Sequence, residues 1–119
     1  MRTILVVDDE FGIAEVLVTA LEDEGYRVFV AANGRQGLER LGEITPDLVI
    51  LDFMMPLMDG IAMARAMRAD PANAGIPVIM MSSVPEASVR ERFDGYAAFL
   101  RKPFLISDLL DLVAKTVSD

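Results

Sequence analysis

The stretch Leu48-Val49-Ile50-Leu51-Asp52-Phe53-Met54-Met55-Pro56-Leu57-Met58-Asp59-Gly60 runs four apolar residues into one acid, then a Met- and Pro-containing loop, then Asp-Gly. Leu, Val and Ile without polar alternation predict a strand buried on both faces, the kind found inside a parallel sheet. Asp52 stands where that strand ends, and in an open parallel sheet this edge is where ligands collect. Taken alone, a strand-end Asp is most often a turn or capping acid. Its other reading is a nucleophile or a metal ligand, and the rest of the chain decides between them.

The same signature recurs on both sides of this stretch. Ile4-Leu5-Val6-Val7 runs into Asp8-Asp9-Glu10, and Val28 to Ala32 runs into Asn33-Gly34. Pro77 to Met81 ends at Ser82-Ser83, and Ala97 to Leu100 ends at Arg101-Lys102-Pro103-Phe104. Helical spacing fills the gaps. Ile13, Val16, Leu17, Ala20 and Leu21 form one helix face, stopped at Gly25, and Leu38, Leu41 and Ile44 form a second, closed by Thr45-Pro46-Asp47. Ile61, Ala64 and Met67 follow a cap at Asp59, Pro85 to Phe93 predicts a short helix exposing Arg90, Glu91 and Arg92, and Ile106, Leu109, Leu110, Val113 and Val117 line the last. Strands alternating with helices demand parallel pairing, right-handed crossovers and helices on both faces. The expected fold is α/β, a doubly wound (βα)5 three-layer sandwich with flavodoxin-like topology, in one domain spanning 1–119. With strand order 2-1-3-4-5, the switch point falls between the first and third strands, so Asp8-Asp9 and Asp52 share one crevice.

Composition narrows the chemistry. The 119 residues are 53% hydrophobic and 25% charged, with 19 acids against 11 bases and a net charge of -8. A nucleic-acid phosphate backbone needs a basic face, and with this acidic balance direct binding by the chain alone is not expected. With no Cys and no His, disulfides, thiolates and imidazoles are absent, and chemistry must run on carboxylates, hydroxyls and lysine. Neither a signal-peptide pattern nor a membrane-length apolar run is present, and the expected location is the cytoplasm.

Asp8, Asp9 and Asp52 placed together repel one another unless a cation sits among them, and a hard oxygen-seeking ion such as Mg2+ suits them. The fourth and fifth strand ends add the Ser82 hydroxyl and the Lys102 ammonium, a point charge suited to a phosphoryl oxygen. In that setting Asp52 can attack phosphorus and form an acyl phosphate. Each residue has a plainer reading: helix-start acids, a capping Ser, a surface Lys and, for Phe99, a core aromatic. Coincidence at four strand ends is a poor account of the whole set.

This combination resembles the receiver domain of two-component response regulators over essentially the whole length. The matching features are Val6-Val7-Asp8-Asp9-Glu10, Asp52 with Met55-Pro56 and Asp59-Gly60, Ser82, and Lys102-Pro103-Phe104. The resemblance implies that Asp52 is the phosphoacceptor, and that Asp9, Asp52 and the Met54 carbonyl bind Mg2+ while Asp8 holds the metal's waters. It implies that Lys102 contacts the phosphoryl group, that the Lys102-Pro103 bond is cis, that Ser82 is the switch hydroxyl, and that Phe99 is its rotamer partner. Phosphorylation would then repack the surface of the fourth helix, fifth strand and fifth helix. The phosphoryl donor would be a phosphohistidine on a sensor histidine kinase or a histidine phosphotransfer domain. The chain would act on no other substrate, catalysing only its own phosphotransfer and autodephosphorylation. A downstream effector or fused output domain, and a homodimer through the repacked surface, complete the expected partners. The chain stops just after the last helix, which suits a stand-alone regulator or the receiver half of a longer protein.

Other classes fit less well. A phosphorylation-independent binding module of the same fold draws support only from the unusual fourth-helix region, where the span from Ser82 to Lys102 is about half a helical turn short and Tyr96 replaces a small residue. An aspartate-nucleophile phosphatase usually needs an acid where Met54 stands, and a flavodoxin-like carrier needs a phosphate-cradling loop. The resemblance makes Met54 and Val84 flank the acyl phosphate, and neither side chain can orient an attacking water. The phosphorylated state is therefore expected to have a moderate to long life; its decay with Mg2+ present is the measurement, and loss within a few seconds would overturn the expectation.

Overall fold

Each strand is short and apolar, so its place is decided by what its side chains can bury against. The computed structural model describes residues 1–117. Its elements run β1 (Thr3–Val7), α1 (Phe11–Asp23), β2 (Arg27–Ala31), α2 (Gly34–Leu41), β3 (Leu48–Asp52), α3 (Gly60–Ala69), β4 (Val78–Ser82), α4 (Glu86–Arg90), β5 (Ala98–Arg101) and α5 (Ile106–Val117). The five strands form one parallel sheet in the order β2-β1-β3-β4-β5, the expected topology.

Alternation along each strand sorts the chain into two cores. Leu5, Val7, Val49, Leu51, Val78 and Met80 face α2, α3 and α4 through Leu41, Ile61, Ala64, Met67 and Val89. Ile4, Val6, Leu48, Ile50, Ile79 and Met81 face α1 and α5 through Leu17, Leu21, Leu109 and Val113. The central strands β3 and β4 are buried at every position, whereas β5 on the edge is only half-buried. The pairing aligns Val7 with Leu51, Asp52 with Met81 and Ser82 with Arg101, so the polar residues that follow each apolar run emerge along one edge.

Local signals set the element ends. Gly25, at φ 92, closes α1: its N–H bonds the Glu22 carbonyl at 3.0 Å while the Tyr26 N–H reaches Leu21 at 3.2 Å. Only a residue without Cβ adopts that backbone freely. Asn33 and Asp59 cap α2 and α3, accepting from the N–H groups of Gln36 and Ala62. Asp47 pins the first strand to the third, accepting from the Thr3 N–H at 2.8 Å and donating its own N–H to the Thr3 carbonyl at 2.7 Å.

Three expectations are corrected. Val16 is 53% exposed, because the buried arc of α1 is narrower than its apolar spacing and centres on Ala14, Leu17 and Leu21. The second helix ends at Leu41 with Gly42 as its cap, and Ile44 packs onto the core from the following loop. The fourth helix is a single turn, Glu86–Arg90, leaving Arg92 and Phe93 in the turn beyond it. Among the described residues no helix is long and apolar enough to cross a membrane.

Asp59-Gly60 follows from a close approach rather than a turn. A Cβ on Gly60 would lie 2.2 Å from the Asp52 carbonyl oxygen, and the Gly60 N–H bonds the Phe53 carbonyl at 3.0 Å. The start of α3 thus rests directly on the backbone carrying Asp52. Gly60→Ala is expected to cost about 1–3 kcal/mol of stability by overpacking, read as a lowered denaturant midpoint with unchanged slope, and to shift the Asp52 amide resonance.

Candidate functional site

The C-terminal edge of the sheet gathers charge of both signs. Asp8 follows β1, Asp52 ends β3 and Lys102 follows β5, while Ser82 ends β4. Lys102 Nζ lies 3.2 Å from Asp52 Oδ1, 3.3 Å from Asp8 Oδ2 and 3.7 Å from Glu10 Oε1. Its side chain is only 13% exposed, and those of Asp8 and Asp52 less still. Carboxylate oxygens of Asp8, Glu10 and Asp52 lie within 4.8 Å of one another, close enough to hold a metal ion. Asp8 also accepts from the Glu10 N–H at 2.9 Å, which fixes the turn between β1 and α1.

Electrostatics follow from this crowding. Burial pushes the Asp52 carboxyl up to about 6; Asp8 adds to the rise, Lys102 opposes it and Asp9 contributes least. For Lys102, burial works against the charge, but Asp52 and Asp8 outweigh it and hold the ammonium above its ordinary value. The site therefore carries more negative charge than one lysine offsets.

The remaining expected residues fall around this centre. Asp9 is exposed and stands outside the tight oxygen cluster, though near enough to repel Asp52. Met54 lies two residues past Asp52 and is 64% exposed. Its loop turns sharply: Leu57 takes φ 67, and Met58 bonds back to the Pro56 carbonyl while accepting from the Gly34 N–H at 3.1 Å. A left-handed leucine costs about 1–2 kcal/mol, so the surrounding contacts impose this loop. Ser82 is buried, and its hydroxyl is engaged within its own loop, accepting from the Val84 N–H at 2.9 Å and donating to the Val84 carbonyl at 3.1 Å. The Lys102-Pro103 peptide is cis, as the resemblance implies.

Phe99 is half-buried beside Tyr96, ring centroids 5.9 Å apart, with Phe93 on the other side of Tyr96 at 6.4 Å. The Tyr96 hydroxyl donates to Glu86 Oε2 at 2.7 Å and accepts from Arg90 Nε at 3.3 Å, and Arg90 Nη2 reaches the same Glu86 oxygen at 2.6 Å. The Tyr96 hydrogen bond, ahead of Arg90, pulls the Glu86 carboxyl below its ordinary value. This triangle ties the short α4 to the start of β5. Sequence reasoning gave no role to Glu10, although it stands in the same acidic run as Asp8 and Asp9.

The geometry has counterparts. Residues 4–114 match the family model described as response regulator receiver domain. The chain is 39% identical over 114 residues to sporulation initiation phosphotransferase F of Bacillus subtilis, covering 94% of this chain and 90% of that one. It is 38% identical over 111 residues to the DNA-binding response regulator MtrA of Mycolicibacterium paratuberculosis, covering 92% of this chain and 48% of that one. It therefore spans about half the length of that relative. Response regulator TrrA of Thermotoga maritima, solved with Mg2+ and BeF, superposes with a TM-score of 0.88 at 31% identity over 98% of this chain and 99% of that one.

Asp52 has a raised pKa, so between about pH 4 and about pH 6 the native state binds more protons than the unfolded state and stability falls as pH rises. Without divalent cations, Asp52→Asn is expected to exceed the parent in stability at pH 7 by ~1–3 kcal/mol. The gap should close as pH falls to about 4 and shrink when Mg2+ is added at pH 7, measured by denaturant unfolding.

Proposed function

The chain belongs to the response regulator receiver domain family, and from that premise we propose that Asp52 is its phosphoacceptor, with Lys102, Ser82 and the neighbouring acids serving the transfer. The observation that carries this reading is the Lys102 ammonium, buried and shared at 3.2 Å by Asp52 and 3.3 Å by Asp8 at the sheet's switch point. In the transfer, a carboxylate oxygen of Asp52 forms the new P–O bond. The P–N bond of a phosphohistidine breaks, and its electron pair leaves with the imidazole. Lys102, already between two carboxylates, moves with little rearrangement onto a phosphoryl oxygen.

The oxygens of Asp8, Glu10 and Asp52, within 4.8 Å of one another, suit a hard cation such as Mg2+. We assign its ligands, as the family resemblance implies, to Asp9, Asp52 and the Met54 carbonyl, with Asp8 behind them; Asp9, which stands outside the cluster, would turn in to join it, and Glu10 offers a further carboxylate at the rim. When bound, the ion offsets charge on the transferring group. Lys102 alone leaves the acids under-compensated, which is the support for this assignment.

The donor is a phosphohistidine on a sensor histidine kinase or a histidine phosphotransfer domain, since the chain has no His of its own. Phosphate on Asp52 adds charge and acceptor oxygens that draw Ser82 from Val84. Phe99 then turns toward the vacated space, and the α4-β5-α5 face repacks toward an effector, an output domain or a second copy. A net charge of -8 argues against direct nucleic-acid contact by this domain, and the cytoplasm is the location proposed for it.

Incubation with a small acyl phosphate and Mg2+ is expected to add one phosphoryl group by intact mass, mapped to Asp52. Asp52→Asn should show none, and Lys102→Ala should slow the gain at least about ten-fold. A folded parent that stays unmodified would sink the reading in favour of a phosphorylation-independent binding module.

A further inference from the structure

The turn after α4 is tied to the phosphoacceptor loop by one side chain. A five-residue helix has little stability of its own, so its position is set by what grips it. Two arginines of α3 grip the backbone just beyond it. Arg65 donates to the Arg92 carbonyl, and Arg68 donates to the Gly95 carbonyl through Nε at 3.2 Å and Nη2 at 2.8 Å. Arg68 Nη1 holds the Ile76 carbonyl at 3.0 Å at the same time, anchoring the clamp to the α3–β4 loop.

The Arg92 side chain runs the other way. Its Nη2 lies 3.7 Å from Asp59 Oδ2, and its guanidinium carbon sits 5.5 Å over the Phe53 ring. Both partners belong to the loop that leaves Asp52. Phe53 is the next residue, buried, with its N–H on the Met81 carbonyl at 2.8 Å. Asp59 caps α3 through its other oxygen, 2.8 Å from the Ala62 N–H, and precedes Gly60 against the Asp52 carbonyl. Arg92 thus touches both ends of the segment 53–59, which contains Met54 and the strained Leu57.

We propose that Arg92 is a positioning residue for the phosphoacceptor loop: it fixes both ends of that segment, and through them the place of Asp52 and of the Met54 carbonyl. The proposal rests on the assignment of Asp52 and Met54 above only where the cation is concerned. Because coupling is reciprocal, a change in the loop is felt at the turn after α4 through the same guanidinium. Half-exposed ion pairs and cation–π contacts are each modest, so the effect is graded rather than absolute.

The test is a cycle of Arg92→Gln, Asp59→Asn and the double variant. Asn can still cap the Ala62 N–H, so Asp59→Asn removes the charge and keeps the cap. Two readouts are taken: amide hydrogen exchange at Phe53 and Gly60 in metal-free protein, and Mg2+ affinity from the shifts of the same amides. Each single variant is expected to raise Gly60 exchange and to weaken Mg2+ binding by about three-fold, with melting temperature near the parent's. The double variant should fall short of the product of the two singles, and Arg92→Lys should recover part of the loss. Unchanged Gly60 exchange in Arg92→Gln, or effects that multiply independently, would overturn the proposal. If the parent takes no Mg2+, the cation assignment fails, while the exchange arm still decides the role of Arg92.

Discussion

Everything at the functional edge depends on one ammonium among carboxylates. Lys102 satisfies Asp52, Asp8 and Glu10 together, yet burial still leaves Asp52 harder to ionise than a free carboxylate. A buried ion pair is weak support for stability. Here the lysine leaves negative charge that it does not fully offset. Placing such charges side by side requires strands whose interiors tolerate no water, and the fully buried β3 and β4 supply them.

The sheet converts sequence parity into direction. Asp52 continues the register of Leu48 and Ile50, which face α1 and α5, whereas Ser82 continues that of Val78 and Met80, which face α3 and α4. Phe99 packs on the same side as Met80, its pairing partner. Asp52 and Ser82 therefore continue opposite faces of the sheet while sharing one edge.

Much of this was readable in the chain. Apolar runs ending in Asp8, Asp52, Ser82 and Lys102 declared both the strands and the edge, because β period and polar termination are local signals. What was not readable depends on long-range geometry. The exposure of Val16 is set by how α1 meets the sheet, the early end of α2 by Gly42, and the approach of Gly60 to Asp52 by the crossover between β3 and α3. Arg92 reads as a solvent-facing charge, and only the folded turn shows it over Phe53. The short span before β5 did announce an abbreviated α4, but not the Tyr96 triangle that replaces its missing length.

The Ser82 loop has one more consequence. Its hydroxyl is both donor and acceptor to the same residue, Val84. Moving that oxygen away from Val84 would cost both bonds, leaving the Val84 N–H and carbonyl in need of new partners at a buried position.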